Sequence, residues 1–441
     1  MSKGALHAHP ITASRHSCHR RRDPRIAPRD GGGKGEGRVR YRHRNERRRG
    51  ASDQDQGRDI DIHAGGRFQE HYRLVLDRPE TRTIPDTFFV RAARVQVDGA
   101  FYKDYGFIVQ ADFPSSSTGP SPTLQAGYIE WKRFDGFHLT FGQFKAPASQ
   151  DRLISRLYSD FVEDDILTRF VPGYEIGVMA SGKVGGGRLG YQVATTNGRS
   201  HLDNQGRSRT DDSDAKELVA RLFVAPWAKD DRSAGQNLRF GVYGSTTSVD
   251  KVAISGSSVN TFDIVTPELG VTMLDPDDGR LAGRRTRLGE ELSWAVGPVG
   301  IKAEYLKRRD EMSDGAGLTV DVPIEAFYGS VTWLVTGEKK KPEARVVPEH
   351  PFLKDGGAGA IELALRVSGG EIGTEIGRIV DLEGQARELR AYTLGVNWWL
   401  ARNLRVSADV VREEYGTPID FSNGRSDDSL TGALVRFQID F

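Results

Sequence analysis

Arg94, Lys302, Arg366, Arg405 and Arg436 each stand singly in an otherwise apolar, alternating stretch. Arginine's planar fork can donate two parallel hydrogen bonds to a carboxylate or phosphate, and lysine supplies a compact point charge. A set of such groups facing water attracts small anions; the same groups facing carboxylates merely balance charge. Both readings stay open at this point, because Asp98, Asp112, Glu304, Glu362, Asp409 and Asp440 fall on the same face as the cations. Other chemistries lack their residues. Outside the N-terminal stretch, His63, His71, His138, His201 and His350 show no metal-ligand spacing. There is no Gly-x-Ser-x-Gly elbow, phosphate-binding loop or dinucleotide fingerprint. No enzyme activity, cofactor or metal site is therefore expected. With one cysteine, Cys18, an intramolecular disulfide is excluded.

Strands must position these cations, since the period along the chain is two. Between residues 84 and 100, Phe89, Ala93, Val95 and Val97 share one face, while Arg94, Gln96 and Asp98 share the other. Arg91 then falls among the apolar residues; either it snorkels at an interface or a bulge shifts the parity. After a tight Lys103-Asp104 connection, Phe107, Val109, Ala111 and Phe113 oppose Gln110 and Asp112, which reads as a hairpin. Ile301, Ala303 and Tyr305 oppose Lys302 and Glu304, and Ile361, Leu363, Leu365 and Val367 oppose Glu362 and Arg366. Leu404, Val406, Ala408 and Val410 oppose Arg405, Ser407 and Asp409. The last strand sets Ala433, Val435, Phe437, Ile439 and Phe441 against Arg436, Gln438 and Asp440, and ends on the aromatic itself.

A chain of 441 residues has room for one large closed barrel. No apolar run reaches the length of a transmembrane helix, whereas a barrel strand needs only about 9–11 residues with one apolar face. A soluble antiparallel sheet would alternate too. Single charges opposite the hydrophobes, and aromatics near strand ends such as Phe88-Phe89, Phe101-Tyr102 and Trp398-Trp399, favour the membrane barrel. Short turns such as Asp135-Gly136 and Gly297-Pro298 alternate with long polar stretches at 197–216, 247–265, 275–288, 339–357, 370–387 and 413–428. The expected fold is all-β: a transmembrane antiparallel β-barrel of about 16 strands over residues 57–441.

Charge separates the N-terminal stretch from the rest. Residues 1–50 carry 15 Lys/Arg against 4 Asp/Glu, and the remainder carries 47 against 57. Residues 1–56 lack periodicity and apolar surface, so they are expected to be a basic disordered extension. They contain no signal-peptide pattern, which suggests a mis-assigned start; no nucleic-acid partner is expected.

Several motifs, in order, resemble the phosphate-selective porin O and P family. They include Phe88-Phe89-Val90-Arg91-Ala92-Ala93-Arg94, Gly99-Ala100-Phe101-Tyr102-Lys103-Asp104-Tyr105 and Gly142-Gln143-Phe144-Lys145-Ala146-Pro147. Pro172-Gly173-Tyr174-Glu175-Ile176-Gly177-Val178, Trp333-Leu334-Val335-Thr336-Gly337-Glu338 and Thr393-Leu394-Gly395-Val396-Asn397-Trp398-Trp399-Leu400 continue the series to about residue 441. Ala92 departs from the family, which has a second arginine there. The resemblance implies a homotrimer in the bacterial outer membrane, in contact with lipid and lipopolysaccharide. Each barrel would carry a water-filled pore for small anions, phosphate among them, narrowed by an inward-folded constriction loop. That loop would be residues 146–172, with Arg156, Glu163, Asp164 and Arg169 in it. Arg152 matches a pore lysine of the family, and Lys145 the lysine at the loop entrance, unless Lys145 anchors the loop to a carboxylate. A general, weakly selective porin or an adhesin-like barrel are the alternatives.

Overall fold

A computed structural model of the chain describes residues 60–77, 84–113, 123–198, 214–230, 233–249, 264–275, 280–352, 354, 356–421 and 426–441. The expected N-terminal extension, 1–56, lies outside the described residues. The first half of the wall is β1 (Ile60–Val75), β2 (Thr87–Phe101), β3 (Tyr105–Asp112), β4 (Thr123–Phe134), β5 (Phe137–Lys145), β6 (Tyr174–Val184), β7 (Leu189–Thr196) and β8 (Glu217–Val224). β9 (Arg239–Val249), β12 (Arg280–Val296), β13 (Val299–Ser313), β14 (Thr319–Leu334), β15 (Ala360–Ile372), β16 (Glu388–Ala401), β17 (Leu404–Asp420) and β18 (Ser426–Asp440) complete it. β10 (Ile264–Val265) and β11 (Thr272–Leu274) pair only with each other. The sixteen wall strands are antiparallel, and β1 pairs with both β2 and β18, so the ladder has no open edge. Closure is what lets strands cross lipid, where an unpaired backbone group would cost several kcal/mol.

The two faces are chemically inverted relative to a water-soluble protein. Val331, Trp333, Leu365, Leu394, Val410 and Phe437 point outward and are exposed, Leu394 by 60%. Arg366, Arg405, Arg436 and Asn397 point inward and are at most 2% exposed. The alternation read from the sequence therefore marks lipid side and lumen side.

One face assignment changes. Gln69 pairs with Ala92 and Glu70 with Val90, which leaves Arg91 as an extra residue. This bulge reverses the parity of β2. Phe88 and Val90 are exposed outside, whereas Phe89 packs edge-on against the buried His71 at 5.3 Å. Arg91 turns inward, its Nε 2.8 Å from Glu163. The bulge, not snorkelling, accounts for Arg91.

The loop assignments also need correcting. Segment 335–359 joins β14 to β15, and strand order puts it at the end of the short turns Asp135-Gly136 and Gly297-Pro298, with the C-terminus. The polar stretches 275–288 and 413–428 are largely strand, since β12 starts at Arg280, β17 reaches Asp420 and β18 starts at Ser426. Strands that continue past the lipid band meet water on both sides, so their sequence loses its apolar face.

Two connections fold into the lumen. Residues 146–173, between β5 and β6, include a helical turn at Gln150–Leu153 and a 3-10 turn at Ile166–Arg169. A backbone without a ladder needs donors for its carbonyls, and inward side chains provide them. Arg405 Nη2 donates to Ser159 O at 2.7 Å, Asn397 Nδ2 to Asp160 O at 2.7 Å, and Arg366 Nη2 to Glu163 O at 3.2 Å. Arg436 donates to Val162 O, while Val162 N donates to Asp409 Oδ2 at 2.7 Å. Asp160 is held from two sides, by Lys302 at 2.7 Å and by Lys340 of the β14–β15 segment at 2.6 Å. The second insertion is the β10–β11 hairpin, which the sequence reading did not anticipate. Its Glu268 accepts from Arg366 at 2.6 Å and Thr393 at 3.0 Å. Its Leu269, Val271, Met273 and Leu274 pack with Ile166, Leu167 and Phe170 of the first insertion and with inward Val320, Val322, Ile324 and Leu434.

Two outcomes follow from this packing. Leu394→Arg, in the apolar band between Trp398 and Tyr392, should cost about 2–4 kcal/mol in urea unfolding from lipid; a negligible cost would mean that this face does not meet hydrocarbon. Asp165 caps the 3-10 turn through Leu167 N at 2.8 Å, but its other oxygen has no hydrogen-bond partner among the described residues. Burial pushes its carboxyl up to about 8, against the opposing pull of Arg366. Its folded pKa is raised, so its contribution is full below the ordinary carboxylate value and is lost as pH rises through about 8. Asp165→Asn should therefore raise the thermal unfolding midpoint more at about pH 9 than at about pH 5. Parallel pH profiles for the two proteins would rule that out.

Candidate functional site

A cavity of about 610 Å³ lies in the lumen between segment 146–173 and the inner faces of the early strands, β12 and β13. β1 contributes Arg67, β2 Arg91 and Arg94, β12 Arg285 and Arg287, and β13 Arg308. The inserted segment adds Arg152, Arg156 and Arg169, and β5 ends on Lys145. Against these ten cations stand four lining carboxylates, Glu130, Asp151, Glu163 and Asp164. Delivery of Lys145 depends on the bend at Gly142, which has φ 126°. A Cβ there would lie 2.3 Å from Gly127 O, so only glycine fits.

Most of the cations have a carboxylate partner. Arg94 Nε meets Asp112 at 2.6 Å, Arg156 meets Glu163 at 2.8 Å as well as Asp164, and Arg152 lies 3.8 Å from Asp164. Arg285 grips Asp310 with two bonds of 2.9 and 3.0 Å, and Arg308 shares that carboxylate. Arg287 meets Glu217 and donates to Phe170 O at 2.8 Å.

Three cations differ. Lys145 Nζ donates to the carbonyls of Arg152 (2.7 Å), Leu153 (3.3 Å) and Ile154 (2.8 Å), so it anchors the segment through backbone, not through a carboxylate. Among the described residues Arg67 reaches only Ser155 Oγ, at 3.3 Å. Arg169 has no hydrogen-bond or ion-pair partner among the described residues, and its Nε is buried. Burial first, then the Arg152 charge, pushes Arg169 down to about 10, so it stays protonated at neutral pH. These positive charges act in a confined space, where their field is screened less than in bulk water.

The residues singled out from the sequence divide into two groups. Arg94, Lys145, Arg152, Arg156, Glu163, Asp164 and Arg169 line the cavity. Lys302, Arg366, Arg405 and Arg436 also face the lumen but lie away from it, engaged with the inserted segments. Sequence reading missed Arg67, Arg285, Arg287 and Arg308. A signal existed for the last three. Arg285 and Arg287 keep the parity of Glu291 and Ser293, and Arg308 keeps that of Lys302 and Glu304. Assigning 275–288 to a loop hid the first two.

Comparison with known proteins agrees with this architecture. The family model described as phosphate-selective porin O and P matches residues 62–441. Porin O of Pseudomonas aeruginosa is 23% identical over 421 residues, covering 87% of this chain and 89% of that protein. The outer membrane channel DcaP of Acinetobacter baumannii has a similar fold, with a TM-score of 0.53 at 11% identity, over 87% of this chain and 97% of that one. So has the anion-selective porin from Comamonas acidovorans, with a TM-score of 0.51 at 10% identity, over 87% of this chain and 100% of that one. With the closed barrel, the inverted faces and a family match over most of the chain, this protein belongs to the phosphate-selective porin O and P family and is a non-enzymatic channel of the bacterial outer membrane.

Proposed function

We propose that the channel selects small anions, phosphate among them, and that Lys145, Arg67 and Arg169 set the selectivity. The observation that carries this reading is the cavity's surplus of cations, with those three lacking any carboxylate partner among the described residues. A permeating anion exchanges part of its hydration for these donors and leaves again because no group encloses it. The cations that already have carboxylates, Arg94, Arg152 and Arg156 among them, shape the field while Asp112, Glu163 and Asp164 hold them in place. In this reading segment 146–173 is the constriction loop. Lys302, Arg366, Arg405 and Arg436 keep it seated and do not bind the passing ion.

The assembly that fits best is a homotrimer, each barrel carrying its own pore. A trimer form of OmpT of Vibrio cholerae is among the structures similar in fold, with a TM-score of 0.50. The exposed apolar belt is suited to outer-membrane lipid, and its polar strand extensions to lipopolysaccharide headgroups.

The test is the reversal potential in a planar bilayer under a salt gradient, followed by phosphate added to a chloride bath. Anion-biased current in steps of three, blocked by phosphate, is expected. Cation-biased current would overturn the reading, and an unselective current untouched by phosphate would leave a general porin. Arg169→Gln should lower the anion-to-cation permeability ratio roughly two- to fivefold without changing stability. Arg405→Leu should do the reverse. It leaves Ser159 O and Asn397 Oδ1 without their donor, costing about 1–3 kcal/mol, and should raise open-channel noise while ion preference stays near wild type.

A further inference from the structure

We infer that the anion this cavity fits carries a hydroxylated organic body, with a sugar phosphate as the representative chemistry; this rests on the anion-channel reading above. The cations fill only part of the lining. On the same hairpin, two cross-strand pairs closer to the turn than Arg94 and Asp112, Gln96 lies opposite Gln110. With Gln192 of β7, Tyr128 of β4 and Tyr174 of β6 they make a neutral polar wall beside the cations.

The bonding within that wall leaves groups to spare. Gln110 Nε2 donates to Gln96 Oε1 at 2.6 Å, and Gln96 Nε2 donates to Asp98 Oδ1 at 2.8 Å. The carbonyl oxygen of Gln110 has no partner among the described residues, nor do the hydroxyls of Tyr128 and Tyr174. Amide and phenol groups both donate and accept. An inorganic oxyanion at neutral pH is chiefly an acceptor, so it can take the two phenol protons but gains little from the Gln110 carbonyl oxygen. A sugar hydroxyl, which also donates and accepts, matches both. The size agrees: about 610 Å³ lies within the range of sites for small organic molecules, about 300–1,000 Å³, and is far more than one tetrahedral oxyanion fills. The arrangement thus divides recognition, with the anionic group on Lys145, Arg67 and Arg169 and the hydroxylated body on the glutamine and tyrosine wall. A site built to hydrogen-bond hydroxyls discriminates against an analogue that lacks them.

The experiment uses the full chain in planar bilayers with chloride as carrier, adding glucose 6-phosphate, inorganic phosphate or glucose at matched concentration. Glucose 6-phosphate should half-block the current at a concentration about tenfold below inorganic phosphate, and glucose alone should not block. Gln110→Leu combined with Tyr128→Phe should erase that advantage while leaving the phosphate block unchanged. Equal or weaker block by glucose 6-phosphate in the wild type overturns the inference and leaves the anion channel standing. Block by neither, with unselective current, removes both. If the double variant forms no channels, the wild-type comparison and Tyr128→Phe alone decide.

Discussion

The donation of hydrogen bonds from wall arginines to the carbonyls of segment 146–173 is the interaction on which the interior depends. A stretch of backbone placed inside a barrel has left every ladder, and its carbonyls are buried away from bulk water. Arg366, Arg405 and Arg436 stand on β15, β17 and β18 at the height where Ser159 to Glu163 pass, and they supply the missing donors. Asp409 returns the exchange by accepting from Val162 N. Guanidinium suits the task because its several donors lie in one plane and its charge strengthens each bond. Remove one of these arginines and a buried carbonyl loses its partner.

That seating divides the lumen. Ile166, Leu167 and Phe170 of the first insertion meet Leu269, Val271, Met273 and Leu274 of the hairpin against the inner face of β14 and β18, so apolar packing fills one side. The cavity remains along the early strands, where the cations gather. Two sets of inward cations that look alike in sequence, those that donate to the loop's carbonyls and those that line the cavity, thereby stand on different strands. Lys145 at the end of β5 belongs to both, since it lines the cavity while donating to three loop carbonyls.

The family's arginine pair also finds a physical reading here. Ala92 stands where the family has its second arginine, yet the bulge at Arg91 turns that neighbouring guanidinium inward toward Glu163. Arg91 and Arg156 share Glu163, which also lies 3.1 Å from His71 Nδ1, itself linked to Arg436. The loop's carboxylate thus ties the early strands to the late ones across the seam where the barrel closes.

The sequence by itself determined the lipid-facing and lumen-facing sides of most strands, because a period of two needs only one apolar face and leaves no freedom once that face meets hydrocarbon. Leu363 and Leu365 against Arg366, or Phe437 and Ile439 against Arg436, were legible without any structure. The number of strands and the span of the inserted segment were legible too, the latter through its motif resemblance. Tertiary structure alone decided which inward cations share a space. That depends on where two insertions come to rest, and no local period records the course of a loop through a lumen. For the same reason the β10–β11 hairpin and the side on which 335–359 emerges were hidden, and the bulge at Arg91 stood only as one of two alternatives until the strand pairing chose it. A bulge is one added residue, a hairpin of a few residues has too little pattern to read, and the side of a loop follows only from counting every strand before it.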